Sequence, residues 1–377
     1  MKNLLLFFLT SLAVAASGQS TSPQAQAKAP QANSRNVIVI TSDGLRWQEV
    51  FRGMDKDMLT TENQVKKKKP LVDQFGGKTA EIRRKKLMPF FWNHVVKNGI
   101  IYGNRDKGSV AHVTNNMWFS YPGYNEMMTG KPDDERVNSN KPIPNPNVSV
   151  LEWLAKKPGI DGKCAVFASW GVHSSIFNEE RCGFPVDAGG RQFHPPTGLT
   201  CGMEMVNRIR PTVPFRWNNE EFDGLMWPMA TEYIRTQKPR VTFISFIETD
   251  AFGHEGNYPG YLDAAHRVDG FIKELWELTQ SIPEYKDNTT FIFTVDHGRG
   301  DKTEGPAEWN HHKRSVVGSD AIFLAIWGPD TPALGEMTTG TITQSQVAAT
   351  TAEALGFTNF NAENPGTAKP IDGVFKK

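Results

Sequence analysis

Short apolar runs alternate along this chain with stretches in which apolar residues recur every three or four positions. Five runs have the length and the β-branched or aromatic content of buried strands: 37–41, 164–168, 241–247, 291–295 and 321–326. Between them, Tyr261–Gln280 shows a 3.6-residue period, and Asn147–Lys157 follows the same pattern. The alternation predicts an α/β fold with a mainly parallel central sheet and helices on both faces.

Two segments interrupt this alternation. Phe51–Lys86 is rich in charge and includes four consecutive lysines at 66–69, so we expect a solvated insertion loop there. Gly183–Trp217 is dense in proline and glycine, which favours a lid or a substrate-facing insertion.

The N-terminus has the layout of a secretory signal peptide. A basic start precedes the apolar run 4–9, and small residues follow at 13–18. Cleavage after Ala15 and cleavage just before Gln19 both fit this layout. A membrane anchor is the alternative, but no basic stop-transfer cluster follows. We therefore predict a signal peptide over 1–18, a disordered Ser-, Pro-, Gln- and Ala-rich linker over 19–35, and a catalytic domain over 36–377.

Composition narrows the possible partners. The 377 residues are 38% hydrophobic, which is enough for a full core. The formal net charge of +1 gives no overall electrostatic attraction to nucleic acid or to an anionic membrane surface. After signal cleavage no membrane span is expected, so the location would be periplasmic or secreted. In such a compartment Cys182 and Cys201 are able to form a disulfide, whereas Cys164 lies in an apolar run and is expected to be a buried thiol.

Metal-binding residue types follow three of the predicted strands. Asp43 ends the first run, Asp250 and His254 follow the third across a loop that contains Gly253, and Asp296 with His297 end the fourth. The carboxyl ends of parallel strands meet at one edge of a sheet, so these side chains should converge. Carboxylate and imidazole are ligands of divalent metals, above all zinc. A late pair, His311 and His312, offers one more imidazole.

Ser120 stands where a helix is predicted to begin. An isolated serine at such a place is most simply a helix cap. Free backbone N–H groups at a helix start also favour a phosphate or an oxyanion. Beside a metal site, a serine nucleophile becomes the sharper hypothesis.

Taken together, these residues resemble the alkaline phosphatase superfamily, most closely its type I phosphodiesterase/nucleotide pyrophosphatase-like branch. The branch's D-G-F-R is matched by 43–46, and its T-F-P-N-H with a following T-G by 120–124 with 129–130. Its D-x-x-G-H corresponds to 250–254, although the glycine that follows arrives one residue early as Gly256, and its D-H-G to 296–298.

The resemblance implies an alkaline phosphatase-like fold, a small phosphate ester as substrate and two divalent metal ions, zinc foremost. One metal would be held by Asp250, His254 and a late histidine, for which His312 is preferred and His311 is the alternative. The other would be held by Asp43, Asp296 and His297, with Ser120 bridging toward it as the nucleophile. Asn140, or failing it Asn138, would hold a phosphoryl oxygen.

Three departures from the branch bear on the reaction. Serine replaces threonine, as in alkaline phosphatases proper, so phosphomonoesterase and phosphodiesterase activity both stay open. Gly123 and Tyr124 replace the Asn-His pair after the proline. The C/S-x-P-x-R motif of sulfatases is incomplete, because Tyr124 stands at the arginine position. The rival from another class is a secreted binding protein of the same fold without turnover.

Overall fold

An eight-stranded sheet forms the centre of the computed structural model, which describes residues 1, 34–302 and 308–376. The strands are β1 Asn36–Ser42, β2 Gly99–Tyr102, β3 Val110–His112, β4 Cys164–Ala168, β5 Val186–Ala188, β6 Val241–Phe246, β7 Thr289–Thr294, β8 Leu324–Trp327, β9 Gly335–Glu336 and β10 Thr341–Thr343. The main sheet has the order β5-β4-β6-β1-β7-β8-β2-β9, and β10 pairs with β3 in a small second sheet. All neighbours are parallel except where β8 meets β7 and β2. The predicted mainly parallel α/β fold is confirmed.

The central strands are apolar along their whole length because both faces of the sheet are covered. All seven residues of β1 are buried, and so are all residues of β6 and β7 on either side of it. Successive side chains of a strand point to opposite faces, so this burial requires packed layers above and below. The parallel register continues past the strand ends, where Asp43 N donates to Phe246 O at 2.8 Å. The segments that follow β1, β6 and β7 therefore leave the sheet side by side.

Helices fill the connections between these strands. They are α1 Trp47–Arg52, α2 Lys68–Phe75, α3 Ala80–Leu87, α4 Val96–Asn98, α5 Ser120–Thr129, α6 Val150–Leu154, α7 His173–Ile176, α8 Glu179–Cys182, α9 Cys201–Ile209, α10 Asp223–Gln237, α11 Glu248–His254, α12 Tyr258–Ser281, α13 Gln346–Ala354 and α14 Phe360–Glu363. Short 3-10 turns cover Arg105–Lys107 and Arg210–Thr212, and one π-helical turn covers Phe91–Val95.

The two helices predicted from periodicity are present with different bounds. α12 begins three residues before the predicted Tyr261, because the Asn257 side chain accepts from Gly260 N at 3.0 Å and caps the first turn. α6 is shorter than predicted, since a reciprocal pair of hydrogen bonds between Ser149 and Glu152 starts it at Val150.

The prediction of a solvated loop over 51–86 is wrong. α2 and most of α3 lie within it, and Leu71 and Phe75 are buried in the core. The lysines at 66–69 are exposed as expected. The prediction failed because the few apolar residues that pack into the core stand among many charged residues in the sequence.

The segment 183–217 contains ordered elements, β5 and α9, and a buried ion pair network. The Arg210 guanidinium donates to Asp187 at 2.7 and 2.8 Å and to Glu221 at 2.9 and 3.0 Å. Asp187 belongs to β5, so these ion pairs hold the turn at Arg210 against that strand.

The three cysteines are free thiols, two of them buried and Cys201 exposed, so the disulfide that the sequence allows between Cys182 and Cys201 is not present. Nearly all of the predicted signal peptide and of the predicted linker lies outside the described residues. Among the helices of the described ranges, none is both long and apolar enough to cross a membrane.

α5 lies so close to the end of β7 that only glycine fits at the contact. A Cβ atom on Gly123 would stand 2.3 Å from the backbone oxygen of Asp296. Because this neighbour is backbone, no rotamer change can relieve the clash, and we expect Gly123→Ala to lower the free energy of unfolding by about 1–3 kcal/mol. Urea denaturation measures the change.

The matched control is Gly270→Ala in the middle of α12, where an added Cβ meets nothing within 4 Å. That substitution should leave stability unchanged or raise it by roughly 0.5–1 kcal/mol, because alanine favours helix over glycine. Equal effects of the two substitutions would contradict the close packing of α5.

Candidate metal centre

Three carboxylates meet at the carboxyl edge of the sheet. Asp43 directly follows β1, Asp250 lies in the first turn of α11 after β6, and Asp296 follows β7. Asp43 and Asp296 are fully buried and Asp250 is 7% exposed. The parallel order β6-β1-β7 brings them together, as the strand-end argument predicts.

His297 faces all three of these carboxylates. Its Nε2 lies 3.4 Å from Asp43 Oδ1, 3.2 Å from Asp296 Oδ2 and 3.9 Å from Asp250 Oδ1. On the other side of the ring, Nδ1 donates to Gly298 O at 2.8 Å. A carbonyl only accepts, so the proton of the neutral ring is on Nδ1 and Nε2 is left to act as a ligand.

A second group of ligand atoms forms around Asp250. Its Oδ2 is 3.2 Å from His254 Nε2 and its Oδ1 is 3.6 Å from His312 Nε2, while the two imidazole nitrogens are 2.8 Å apart. The expected loop between Asp250 and His254 is wrong. Both lie on α11, where the i, i+4 spacing puts them on one face.

The two late histidines are separated by the fold. The side chain of His312 is 7% exposed, and its ring stacks on that of His297 with 3.8 Å between centroids. The side chain of His311 is 56% exposed and approaches Glu308 at 3.6 Å. The ligand groups are thus Asp250, His254 and His312 on one side and Asp43, Asp250 and His297 on the other, with the ligand atoms of each within 4.8 Å of one another. Asp250 belongs to both groups, whereas the sequence assigned Asp296 to the second.

The donor set fits divalent cations. Asp43 Oδ1 and Asp296 Oδ2 are buried oxygens without a hydrogen-bond partner among the described residues. Burial, followed by the charge of Asp250, raises the pKa of Asp43, and burial with the charge of Asp43 raises the pKa of Asp296. Buried and mutually repelling carboxylates with unshared oxygen lone pairs fit the positive charge of a divalent cation.

The same carboxylates shift the pKa values of the imidazoles His297 and His312. Burial lowers the pKa of His297, but Asp296 and Asp43 raise it more, to about 9. Burial and then the neighbouring His297 hold the pKa of His312 well below its usual value, so this ring is neutral and able to ligate.

Ser120 is the first residue of α5 and is 4% exposed. Its Oγ lies 3.2 Å from His297 Nε2, which puts the hydroxyl beside the carboxylates. Asn140 is close to this helix start, because its Oδ1 accepts from Tyr121 N at 2.9 Å. Both asparagines are exposed, but the side chain of the alternative, Asn138, donates to Glu135 O and makes no hydrogen bond with the start of α5 among the described residues. The structure therefore brings Ser120 and Asn140 together and leaves Asn138 outside.

Two contacts of this site were not predicted from the sequence. Tyr124 is fully buried, donates to Asp43 Oδ2 at 3.0 Å and lies 3.0 Å from Ser245 Oγ. The Arg299 guanidinium forms an ion pair with Asp250 and donates to the backbone oxygens of Trp309 and Asn310. The departure from the family motif at Tyr124 was the only sequence signal for either contact.

Solved structures of low sequence identity share this fold. The wild-type alkaline phosphatase PafA aligns with a TM-score of 0.57 and 11% identity, over 92% of this chain and 99% of that chain. The lipoteichoic acid synthase LtaP from Listeria monocytogenes has a TM-score of 0.54 and 12% identity, over 92% and 77% of the two chains. A 2-O GAG sulfatase has a TM-score of 0.52 and 12% identity, over 90% and 72%. No curated protein sequence matches the chain.

The sequence itself matches one family. The model of the type I phosphodiesterase/nucleotide pyrophosphatase family covers residues 79–334, more than half of the chain. The matched range includes Ser120, Asp250 and Asp296 but begins after Asp43. The resemblance drawn from the motifs is confirmed, and with it membership of a hydrolase family. This chain belongs to the type I phosphodiesterase/nucleotide pyrophosphatase family and has the fold of the alkaline phosphatase superfamily.

Proposed function

We propose that this protein is an exported hydrolase of phosphoric esters that uses Ser120 as its nucleophile and two bound divalent cations. The observation that carries the proposal is the position of the Ser120 hydroxyl, 3.2 Å from His297 Nε2 at the start of a helix. That hydroxyl stands beside buried carboxylate oxygens that lack a hydrogen-bond partner among the described residues. Export rests on the sequence pattern of residues 1–18.

One cation would be held by Asp250, His254 and His312, and the other by Asp43, Asp296 and His297, with Asp250 close to both. Mixed carboxylate and imidazole ligands favour zinc. When bound, the two cations would supply the positive charge that activates the serine hydroxyl and offsets the charge on the leaving oxygen.

The residues of the chain would carry the reaction in two displacements. Ser120 Oγ attacks phosphorus, a serine O–P bond forms, the ester O–P bond breaks, and the alcohol departs with a proton. Water then attacks the phosphorus of the phosphoserine, which releases the phosphate product and restores the hydroxyl of Ser120. The ring of His297 keeps its orientation through Nδ1 and Gly298 O.

Asn140 would hold a phosphoryl oxygen during both steps. Its side-chain oxygen is engaged by the N–H of Tyr121 at 2.9 Å. An amide side chain has two N–H donors besides this acceptor, so its nitrogen remains to face the phosphoryl group. The same hydrogen bond fixes Asn140 relative to Ser120, because Tyr121 is the next residue.

Phosphodiesters fit the site better than monoesters. A dianionic monoester needs an additional arginine or lysine to hold its extra charge, and the sequence offers Arg46, Arg105, Lys131 and Arg299. Arg46 is buried in a bidentate pair with Glu49 at 2.8 and 2.9 Å, and Arg299 is engaged by Asp250. Arg105 approaches Asp320 at 3.4 Å, and Lys131 donates to Pro365 O. A singly charged diester makes no such demand.

Ser120→Ala should abolish turnover while leaving the metal ligands in place. We expect hydrolysis of bis(4-nitrophenyl) phosphate to fall by at least about 10³-fold, because the covalent step disappears while electrostatic stabilisation remains. The wild-type protein should hydrolyse this diester faster than 4-nitrophenyl phosphate. Release of nitrophenolate, followed by absorbance with zinc present, measures both.

Ser281→Ala serves as the control, since Ser281 is an exposed serine at the end of α12. It should behave as the wild type. If Ser120→Ala keeps a tenth of the wild-type activity, Ser120 is not the nucleophile and only begins the helix. Absence of any turnover in the zinc-loaded wild type would favour the binding protein.

His312→Ala and His311→Ala should differ sharply in zinc affinity. Removal of an imidazole that ligates the cation should weaken binding by more than about 100-fold, whereas loss of the exposed His311 should change it little. Competition with a chromophoric chelator measures the affinity without reference to turnover. If His311→Ala loses zinc affinity and His312→Ala keeps it, then His311 is the ligand and His312 is not.

A further inference from the structure

A carboxylate outside the ligand set lies within α5, the helix that begins at Ser120. Glu126 is fully buried, and its charge is met by hydrogen bonds. The backbone N–H and one side-chain donor of each of Thr114, Asn115 and Ser345 reach its two oxygens, at distances of 2.7–3.0 Å. Hydrogen bonds to an ionised acceptor are short and strong. Glu126 therefore fixes the segment before Ser120 and the start of α13 against α5.

Asn115 carries this order into the turn 115–118. Its side chain is buried, and its Nδ2 donates to Glu126 Oε2 at 2.8 Å. Its Oδ1 accepts from Met117 N at 3.0 Å and from Trp118 N at 2.9 Å. Because an amide has its donors on nitrogen and its acceptor on oxygen, a carboxylate that holds the nitrogen also determines where the oxygen points. Glu126 thus directs the Asn115 oxygen toward the turn.

Trp118 has a backbone conformation that bulky residues rarely adopt. Its φ is 56°, in the left-handed region that favours glycine. Strained residues of this kind cluster at functional sites and persist only where the surrounding contacts hold them. The hydrogen bond from Trp118 N to the buried Asn115 supplies such a contact.

The turn contacts the segment that carries the candidate metal ligand His312. Trp118 O lies 3.4 Å from His312 Nδ1, and Arg314 N donates to Met117 O at 3.2 Å. A carbonyl only accepts, so this contact places the proton of the neutral ring on Nδ1. Nε2, which lies 3.6 Å from Asp250 Oδ1, is then left with a lone pair. A change of φ at Trp118 would turn the carbonyl away from the ring.

We propose that Asn115 and Glu126 are positioning residues that prepare His312 as a metal ligand through the backbone of Trp118; this proposal rests on the cation site of the proposed function. Neither residue belongs to the two groups of ligand atoms. A partner that holds the other ring nitrogen of a ligating histidine fixes its tautomer and orientation, and its removal typically costs 10–100-fold in metal affinity. Here that partner is a backbone carbonyl, so the residues that hold the turn determine its position.

Asn115→Ala should lower zinc affinity by about 10–100-fold, because the turn loses the acceptor that holds Trp118. Competition with a chromophoric chelator measures the affinity without reference to turnover. The matched control is Asn116→Ala in the same turn, where the exposed side chain donates to Asp134 Oδ2 at 2.7 Å. The control should keep the wild-type affinity. Wild-type affinity in Asn115→Ala would overturn the proposal.

A second substitution separates the conformation of the turn from a general loss of structure. Glycine adopts a positive φ without support, so adding Trp118→Gly to Asn115→Ala should restore most of the lost zinc affinity. No recovery would overturn the proposal. If Asn115→Ala does not fold, the same comparisons apply to Glu126→Gln, which keeps the size of the side chain and replaces one acceptor oxygen by a donor.

A double-mutant cycle with His312→Ala shows whether Asn115 acts through that ring. Once the imidazole is absent, Asn115→Ala should change the remaining zinc affinity by less than about twofold, whereas independent effects would multiply. Multiplied losses would overturn the proposal, because Asn115 would then act elsewhere in the protein.

The same measurements distinguish this proposal from its foundation. Wild-type zinc affinity in His312→Ala would overturn the proposed cation site, and the positioning role with it. A large loss in His312→Ala beside none in Asn115→Ala would overturn the positioning role alone. Coupled losses of zinc affinity in a protein that hydrolyses no phosphate ester would support the positioning role and overturn only the proposed reaction.

Discussion

The repulsion among three buried carboxylates is the constraint on which the rest of this structure depends. Asp43, Asp250 and Asp296 are brought together by three adjacent parallel strands whose apolar residues are buried on both faces. The sheet is stabilised by that burial, and the charges at its edge oppose it. Any stable form of the site therefore needs positive charge or hydrogen-bond donors around these oxygens.

The fold supplies part of that compensation. Gly44 N donates to Asp296 Oδ1 at 3.1 Å, Tyr124 donates to Asp43, and Arg299 is paired with Asp250. Gly44 has a φ of 59°, and a Cβ at this position would stand 2.5 Å from Asp250 Oδ1, so only glycine allows the approach. These contacts satisfy some of the carboxylate oxygens and leave Asp43 Oδ1 and Asp296 Oδ2 without a hydrogen-bond partner among the described residues. The remaining lone pairs are the ones that we assign to cations.

The sequence predicted the parts of the molecule that depend on local pattern. Continuous apolar runs predicted the central strands, and the position of Asp43, Asp250 and Asp296 after those runs predicted that the carboxylates meet, because strand order places neighbouring ends together. The helices within 51–86 were missed, since their few buried positions are hidden among lysines. The roles proposed for Ser120, Asn140 and His312 stay predictions.

Contacts between distant segments could not be read from the sequence. Tyr124 reaches Asp43 only because α5 packs against the end of β7, and Arg299 reaches Asp250 only after the chain turns beyond His297. Such contacts depend on the three-dimensional packing, which no spacing of residues encodes directly.

The central claim is that two cations compensate the carboxylates at the edge of the sheet, and anomalous diffraction from zinc-soaked crystals tests it most directly. We predict two peaks at the zinc absorption edge. One should be bounded by Asp250, His254 and His312, and the other by Asp43, Asp296 and His297, at about 4 Å from the first. A single peak, or zinc bound only at exposed sites such as His311 while these oxygens stay unligated, would contradict the account.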